Sequence, residues 1–585
     1  SQFQTASGIT DMQGVESIQM IKGSAAVTQG LITDLGNAGG VINVVTKTPK
    51  FVNAGEVGLR VGSWGQVRPT FDVQSVLNKD KTVAFRLNGA YERSDNYRPI
   101  VSSDRVYVNP SLEWRPDSKT VVTVEMDYLN ENKTPVNSAI NLAPDSIEAL
   151  YEIPKDKFLG TRADNINTTM SSYSARILRK LTDNVSVRAA YFESTYKFDN
   201  LSTSIGTKAV GDDYGTRARS LTRQKRDDDN TTFQLDLIGQ DLYTASIKHT
   251  FQLGFDYRIS DATTIGYKSY SLGNLDILNG EISNEAPTET VLAAAMTENA
   301  PVNSMYSSYG IMAQEVMSIN DYLKVILGLR YSSISTNNAS GSVTNGSAWD
   351  PMFGVMVSPL KNINLFASYT TSTSLRSAAQ ILNDSITPAG AAKTKQLEVG
   401  IKSDWLDNRL RFNFTYFNIL SDNLTNTYYE LDEITGIYTK TPYYFKAGNL
   451  RRSGVELELN GRILDNLQVM LGYAYLNAKY EDSPSYVNGS APMNAPKHSA
   501  NAWAQYEVNK GTLKGLSIGV GVYYVGERPV NEYSTASDGH GTNPGERPFD
   551  MPAYTTVNAQ LGYKYDKFTA RVFFNNVFDA LGYSS

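Results

Sequence analysis

The chain has 585 residues, no cysteine, three histidines and a formal net charge of −6. No disulfide framework, thiolate metal site or cysteine nucleophile is available to it, a histidine-rich metal centre lacks ligands, and an acidic balance gives no reason to expect nucleic acid. Mean hydropathy is −0.33 and no apolar run approaches the ~18 residues of a spanning helix, yet a transmembrane barrel keeps such a polar average because lipid-facing and lumen-facing residues alternate.

In chain order, residues 1–50 come first and stand apart from the rest. They hold two short apolar stretches, within 15–24 and 36–49, joined by a glycine-rich loop. Gly39-Gly40 permits positive φ or close backbone approach. No GxxxxGK[ST] pattern supports a phosphate cradle.

From residue 54 onward the rhythm has period two. Val83, Phe85, Leu87 and Tyr91 alternate with Arg86, Asn88 and Glu92. Leu323, Val325, Leu327, Leu329 and Tyr331 face away from Lys324 and Arg330. The same holds for Leu410, Phe412, Phe414 and Tyr416 against Arg411, Asn413 and Thr415, and for Val455, Leu457 and Leu459 against Glu456 and Glu458. Phe568, Ala570, Val572 and Phe574 oppose Thr569, Arg571 and Asn575. One apolar and one polar face is the signature of a half-apolar strand. Twenty-one such segments are predicted, from about 54–62 to about 568–578. Short turn-rich links alternate with long polar segments at 131–168, 198–229, 261–303, 335–349, 372–392, 425–442, 481–496 and 528–552. Short turns at one end and long loops at the other suit an outer-membrane barrel. Short helices are predicted near 145–151 and 288–297.

Val15-Glu16, Lys22-Gly23, Gly30, Gly39-Gly40 and residues 41–47 resemble the plug domain of TonB-dependent outer-membrane receptors, whose pattern runs VE-x-IEVL-RG-PAS-x-LYG … PGG-VINVVTK-x-P. Residues 396–402 resemble the family's QYE-x-GIK strand, 453–458 its SGVELE strand, 494–498 its N-x-PKH turn and 575–579 its NNLFD segment. The likeness spans about 15 to 579 and is greatest to the ferric-siderophore branch. Lys22 stands where the family usually has Arg, Gln29 where it has Tyr, and Ala38 where it has Pro.

The resemblance implies an all-β transmembrane fold: a 22-stranded antiparallel barrel, about 21 strands of it visible here. Residues 1–50 would be the C-terminal half of a plug in the lumen, and 54–585 the barrel. The family also carries a TonB box, an earlier plug half and one more final strand. An open sheet edge in hydrocarbon leaves backbone groups unpaired, so a gap one strand wide is expected between 54–62 and 568–578. The implied function is TonB-driven uptake of a ferric siderophore across the outer membrane of a Gram-negative bacterium. The implied partners are the siderophore, TonB and outer-membrane lipid, with no nucleic acid and no cofactor. Haem, cobalamin or another large nutrient is the alternative cargo; a passive porin is the alternative class. A barrel enzyme would need a nucleophile–base pair with an orienting group, and none is evident.

Glu398 and Glu456 each sit between outward apolar residues and are expected to face the lumen. The resemblance implies a plug cation held by barrel glutamates, which pairs Lys22 with Glu398 and Glu456. The plainer reading leaves both carboxylates to water or to strand cations such as Arg411. The resemblance also places substrate above the plug, here over Thr28, Gln29 and Asn37, beneath Tyr428, Tyr429, Tyr438, Tyr443, Tyr444 and Tyr533. Aromatic faces with polar tips suit catecholate or hydroxamate complexes, although such tyrosines also build interfacial girdles. Asp212-Asp213 and Asp227-Asp228-Asp229 read as solvated loop charge rather than a calcium site.

Overall fold

In the computed structural model the chain is described except for residues 1–9, 22–40, 137–141, 143–146, 211–212, 338–342, 376–378, 383–384, 389, 432–437, 536–544 and 584–585. Among the described residues, twenty-one antiparallel wall strands from Ala54–Val61 to Phe568–Phe574 form one closed barrel, to which three short strands, Tyr270–Asp276, Ala379–Leu382 and Ser385–Pro388, are added. The wall strands are the twenty-one segments that the alternation predicts. With an odd number of antiparallel neighbours, the first and last strands run in the same direction, and because the barrel closes with Phe568–Phe574 next to Ala54–Val61, the one-strand gap expected there is corrected. At that seam the Arg60 guanidinium lies 5.9 Å from the Phe573 ring centroid.

The faces are those of a membrane protein. On Leu323–Asn337, Leu327 and Leu329 are each 43% exposed while Arg330 is 3% exposed. Hydrocarbon tolerates the first, and pairing makes the second possible. Arg330 Nη2 reaches across a strand to Asp256 Oδ1 at 2.8 Å. The intervening position is Gly310, where a Cβ would lie 1.9 Å from Arg330 Nη2. At one rim Tyr309, Tyr331 and Trp349 line up across three adjacent strands, with centroids 6.2 and 4.8 Å apart.

The end carrying the short links is built from local hydrogen bonds. Asn78 Oδ1 accepts from the N–H groups of Thr82 and Val83 at 2.9 and 3.0 Å. Asn320 Oδ1 does the same for Tyr322 and Leu323 at 2.8 and 2.9 Å. Asparagine suits this work because its side chain imitates the next backbone turn.

The opposite end departs from the sequence expectation. Apart from 211–212, which lie outside the described residues, 198–229 is sheet, not loop: Val185–Val210 and Asp213–Thr244, 26 and 32 residues long, pair with each other. The described parts of 335–349 and 425–442 also extend strands, to Leu323–Asn337, Val343–Leu360, Leu410–Leu431 and Tyr438–Leu464. A tilted strand needs only ~9–11 residues to cross the bilayer, so these hairpins project well beyond it. In Val185–Val210 and Asp213–Thr244 the apolar residues beyond the bilayer are scattered rather than periodic, and charge pairs run between the strands. Lys197 meets Asp227 and Arg223 meets Asp199, both across strands at 2.7 Å, and Arg226 meets Asp228 at 2.7 Å. Asp227-Asp228-Asp229 is therefore strand, and the solvated-loop reading of it is corrected. Of the other acidic pair, Asp212 lies outside the described residues.

Two short helices lie at this end, Glu148–Glu152 and Glu289–Ala295. Leu142, Ala149, Leu159, Leu275 and Ile277 bury one another there as a small cluster.

Residues 10–21 and 41–50 begin with a turn at Met12–Gly14, followed by an antiparallel hairpin of Val15–Ile21 and Val41–Thr46. It packs on lumen-facing side chains of the first wall strands, as the contacts below show.

Candidate functional site: the lumen

The hairpin is held by a chain of ion pairs. Asp11 caps the first turn, accepting from Gln13 N–H at 2.8 Å, and is 1% exposed. Arg68 grips it with both terminal nitrogens, at 2.5 and 3.2 Å, and Arg105 stands 3.5 Å away. Arg68 also meets Glu92 at 2.6 Å, and Arg105 meets Glu131. Burial by itself raises the Asp11 pKa; hydrogen bonds from Arg68 and Gln13 and the charges of Arg68 and Arg105 outweigh it, so the carboxyl sits below its ordinary value. Beside it Gly14 lies on Tyr107, where a Cβ would come 1.8 Å from the phenol oxygen. Tyr107 is fully buried and donates to Asp127.

The second strand is tied to the same wall. Lys47 pairs with Asp72 at 2.8 Å, and Thr46 donates to Glu125 at 2.7 Å. Arg86 bonds Asp72 at 2.8 Å and the Thr48 carbonyl at 2.9 Å. Glu16 accepts from Lys50 at 2.5 Å; that bond first, and the charges of Lys50 and Arg86 with it, hold its carboxyl below the ordinary range. These wall residues all lie on Val67–Val76, Val83–Asp95, Ser102–Trp114 and Thr120–Lys133, one side of the lumen. Sequence reading missed Asp11, Arg68 and Arg105. Arg68 and Arg105 signalled only as charges at inward alternation positions, and Asp11, ahead of the hairpin, had no alternation to mark it.

On Ala392–Trp405, Glu398 lies between the outward Leu397 and Val399 and accepts from Gln396 at 2.9 Å and Ser368 at 3.5 Å. Glu398 opposes Phe417 and Glu456 opposes Thr415, so one strand separates two neighbouring carboxylates. Arg411 is engaged instead by Asp404 at 2.8 Å. Lys22 lies outside the described residues, as do Thr28, Gln29 and Asn37.

At the outer mouth, Tyr428, Tyr429, Tyr443 and Tyr444 occupy a strand hairpin rather than a loop. The Tyr429 and Tyr438 side chains lie outside the described residues. Tyr428 packs on a buried cluster of Phe445, Ala447, Tyr480 and Tyr486. Tyr486 is its centre: 4.5 Å from the Tyr480 ring, 5.9 Å from Phe445, and bonded from Asn426 Nδ2 at 2.8 Å. The Tyr533 carbonyl accepts from Val487 N–H at 2.9 Å, which brings Tyr428 and Tyr533 to the same neighbourhood. Tyr444 opposes Thr427 and Gln380 in the sheet. Tyr486 was not singled out from sequence, being a lone aromatic in a polar segment.

A barrel with a lipid-facing apolar exterior, a polar lumen and a hairpin salt-bridged inside it has the architecture of an outer-membrane receptor. Residues 113–577 match the family model described as "TonB dependent receptor-like, beta-barrel", and the chain belongs to that family of transport receptors. Among curated relatives, the metal-pseudopaline receptor CntO of Pseudomonas aeruginosa (strain UCBPP-PA14) is 27% identical over 97% of this chain and 77% of its own length. The ferrioxamine receptor of Yersinia enterocolitica is 23% identical over 94% and 73%. Among solved structures, the closed form of the ferric-catecholate import receptor Fiu from E. coli K12 superposes with a TM-score of 0.79 at 21% identity, covering 97% of this chain and 82% of Fiu. The ferric preacinetobactin receptor BauA of Acinetobacter baumannii gives 0.80 at 19% identity, covering 97% and 81%.

Proposed function

We propose that this protein takes up a ferric siderophore across the outer membrane of a Gram-negative bacterium, driven by TonB. The observation that carries it is the hairpin bonded to the lumen wall through Asp11, Glu16, Thr46 and Lys47. A hairpin so fastened argues against a passive porin and suits cargo released by an energised movement. Residues 1–50 act as the second half of the plug, and 54–585 as the barrel. Lys22 with Glu398 and Glu456 forms a further plug–barrel lock. Thr28, Gln29 and Asn37 meet the chelate from below, and Tyr428, Tyr429, Tyr443, Tyr444 and Tyr533 from above. The relatives' names support chelated metal as cargo over haem or cobalamin.

The test is radiolabelled iron uptake in a receptor-deleted strain carrying this gene, with and without functional TonB, over ferric hydroxamates, catecholates and carboxylates. Accumulation of at least one chelate only with TonB is expected. Equal accumulation without TonB, or uptake of haem or cobalamin alone, would overturn it.

A further inference from the structure

Among the described residues, the inward-facing cation Arg452 has no carboxylate partner. Arg452 lies on Tyr438–Leu464, opposite the buried Ile419 and Ala478, on the same inward face as Gly454 and Glu456. Its Nη2 donates to Ser421 Oγ, which is itself bonded to Thr394 at 2.9 Å. Its Nε is sealed from solvent and has no acceptor. Among the described residues, no carboxylate lies within ion-pair distance of it. Three arginines on the barrel wall differ from it: Arg68 has Asp11 and Glu92, Arg86 has Asp72, and Arg330 has Asp256.

A desolvated guanidinium held by one hydroxyl is costly unless an anion completes it. Nη1 is its remaining donor nitrogen. Ser421 and Thr394 hold the group in place, so little freedom is lost when an oxyanion arrives. The position also matters. Tyr480, part of the aromatic cluster at the mouth, lies on the next strand, two residues outward of Arg452's partner Ala478. A chelate resting on that cluster would bring its substituents down to Arg452.

Building on the uptake reading above, we infer that Arg452 is the receptor's anion anchor and that the cargo is a metal chelate bearing a free carboxylate. Guanidinium–carboxylate contacts are charge-assisted and geometrically selective, so Arg452 selects for a carboxylate-bearing chelate over neutral or cationic ones.

The test uses the full-length receptor purified in detergent, with binding read by tyrosine and tryptophan fluorescence. The carboxylate-bearing probes are ferric citrate and iron–nicotianamine; the probes without a free carboxylate are ferrioxamine B and ferrichrome. Wild type is expected to bind a carboxylate probe more tightly than either hydroxamate. Arg452→Gln should weaken that binding roughly 10- to 100-fold and leave hydroxamate binding unchanged. Arg452→Lys, which keeps the charge without the fork, should fall between. Circular dichroism of both variants checks that the barrel is intact. Hydroxamates binding as tightly as the carboxylate probes, or an unchanged affinity in Arg452→Gln, would overturn the anchor while leaving siderophore uptake standing. Failure of every chelate to bind wild type would sink both.

Discussion

Asp11 shows how a single carboxylate can hold a whole segment. It is buried, capped onto its own turn and gripped by Arg68 with Arg105 nearby. Because its folded pKa lies below the ordinary 3.8 of an aspartate, the stabilisation is full above about that pH and is lost as pH falls through the lowered folded value. Hydrogen exchange of the amides in Val15–Ile21 and Val41–Thr46 should be level from pH 7 to about 5 once corrected for intrinsic rates, and accelerate below about 4. Asp11→Asn should weaken docking by ~1–3 kcal/mol and flatten that acid response. An unchanged acid limb in the variant would assign it to other groups. Gly14 makes a second point. Its neighbour is the Tyr107 phenol, so Gly14→Ala should cost ~1–3 kcal/mol of docking through overpacking. Adding Tyr107→Phe removes the oxygen that a methyl would strike and should recover part of the loss. If the double variant is no better than the single one, backbone strain rather than that contact is responsible.

At the scale of elements, the projecting hairpin is the departure from sequence expectation. Alternation of apolar and polar residues reports a strand with two different environments, and above the membrane Val185–Val210 and Asp213–Thr244 carry only scattered apolar residues such as Ile205 and Leu221. What keeps these residues extended is the backbone ladder, which side-chain periodicity does not report. Exposed ion pairs such as Lys197–Asp227 contribute little individually, ~0.2–1 kcal/mol. Amides across 201–205 and 219–224 should therefore exchange as slowly as other outer strand ends, and should stay protected in 1 M salt, where the screening length is about 3 Å. Loss of protection in salt would show that the charge pairs, not the ladder, hold the extension.

At the scale of the whole molecule, the barrel is inside-out, and its stability should respond to the side on which a charge is placed. Leu327 lies midway along the apolar run of Leu323–Asn337 and points to lipid. Leu327→Arg should destabilise the barrel by ~2–4 kcal/mol in lipid vesicles, measured by reversible urea unfolding. Arg at the adjacent lumen-facing Ile326 should cost less. Equal costs would contradict the assignment of faces.

The wall was legible because each strand has one lipid face, and burial in hydrocarbon writes itself directly into residue type: Leu323, Val325, Leu327 and Leu329 need no partner to be recognised. Glu398 and Glu456 were legible as lumen residues for the same reason, by their places between outward neighbours. The contacts across the lumen were not legible. Asp11 and Arg68 are 57 residues apart, and Tyr428 meets Tyr486 from another hairpin. Nothing in the local pattern of Arg452 separates it from the paired Arg330. Closing the barrel decided which inward charges meet a partner and which are left for cargo, because electrostatic pairing depends on distance across the lumen, whereas side-chain alternation depends only on the next residue along the strand.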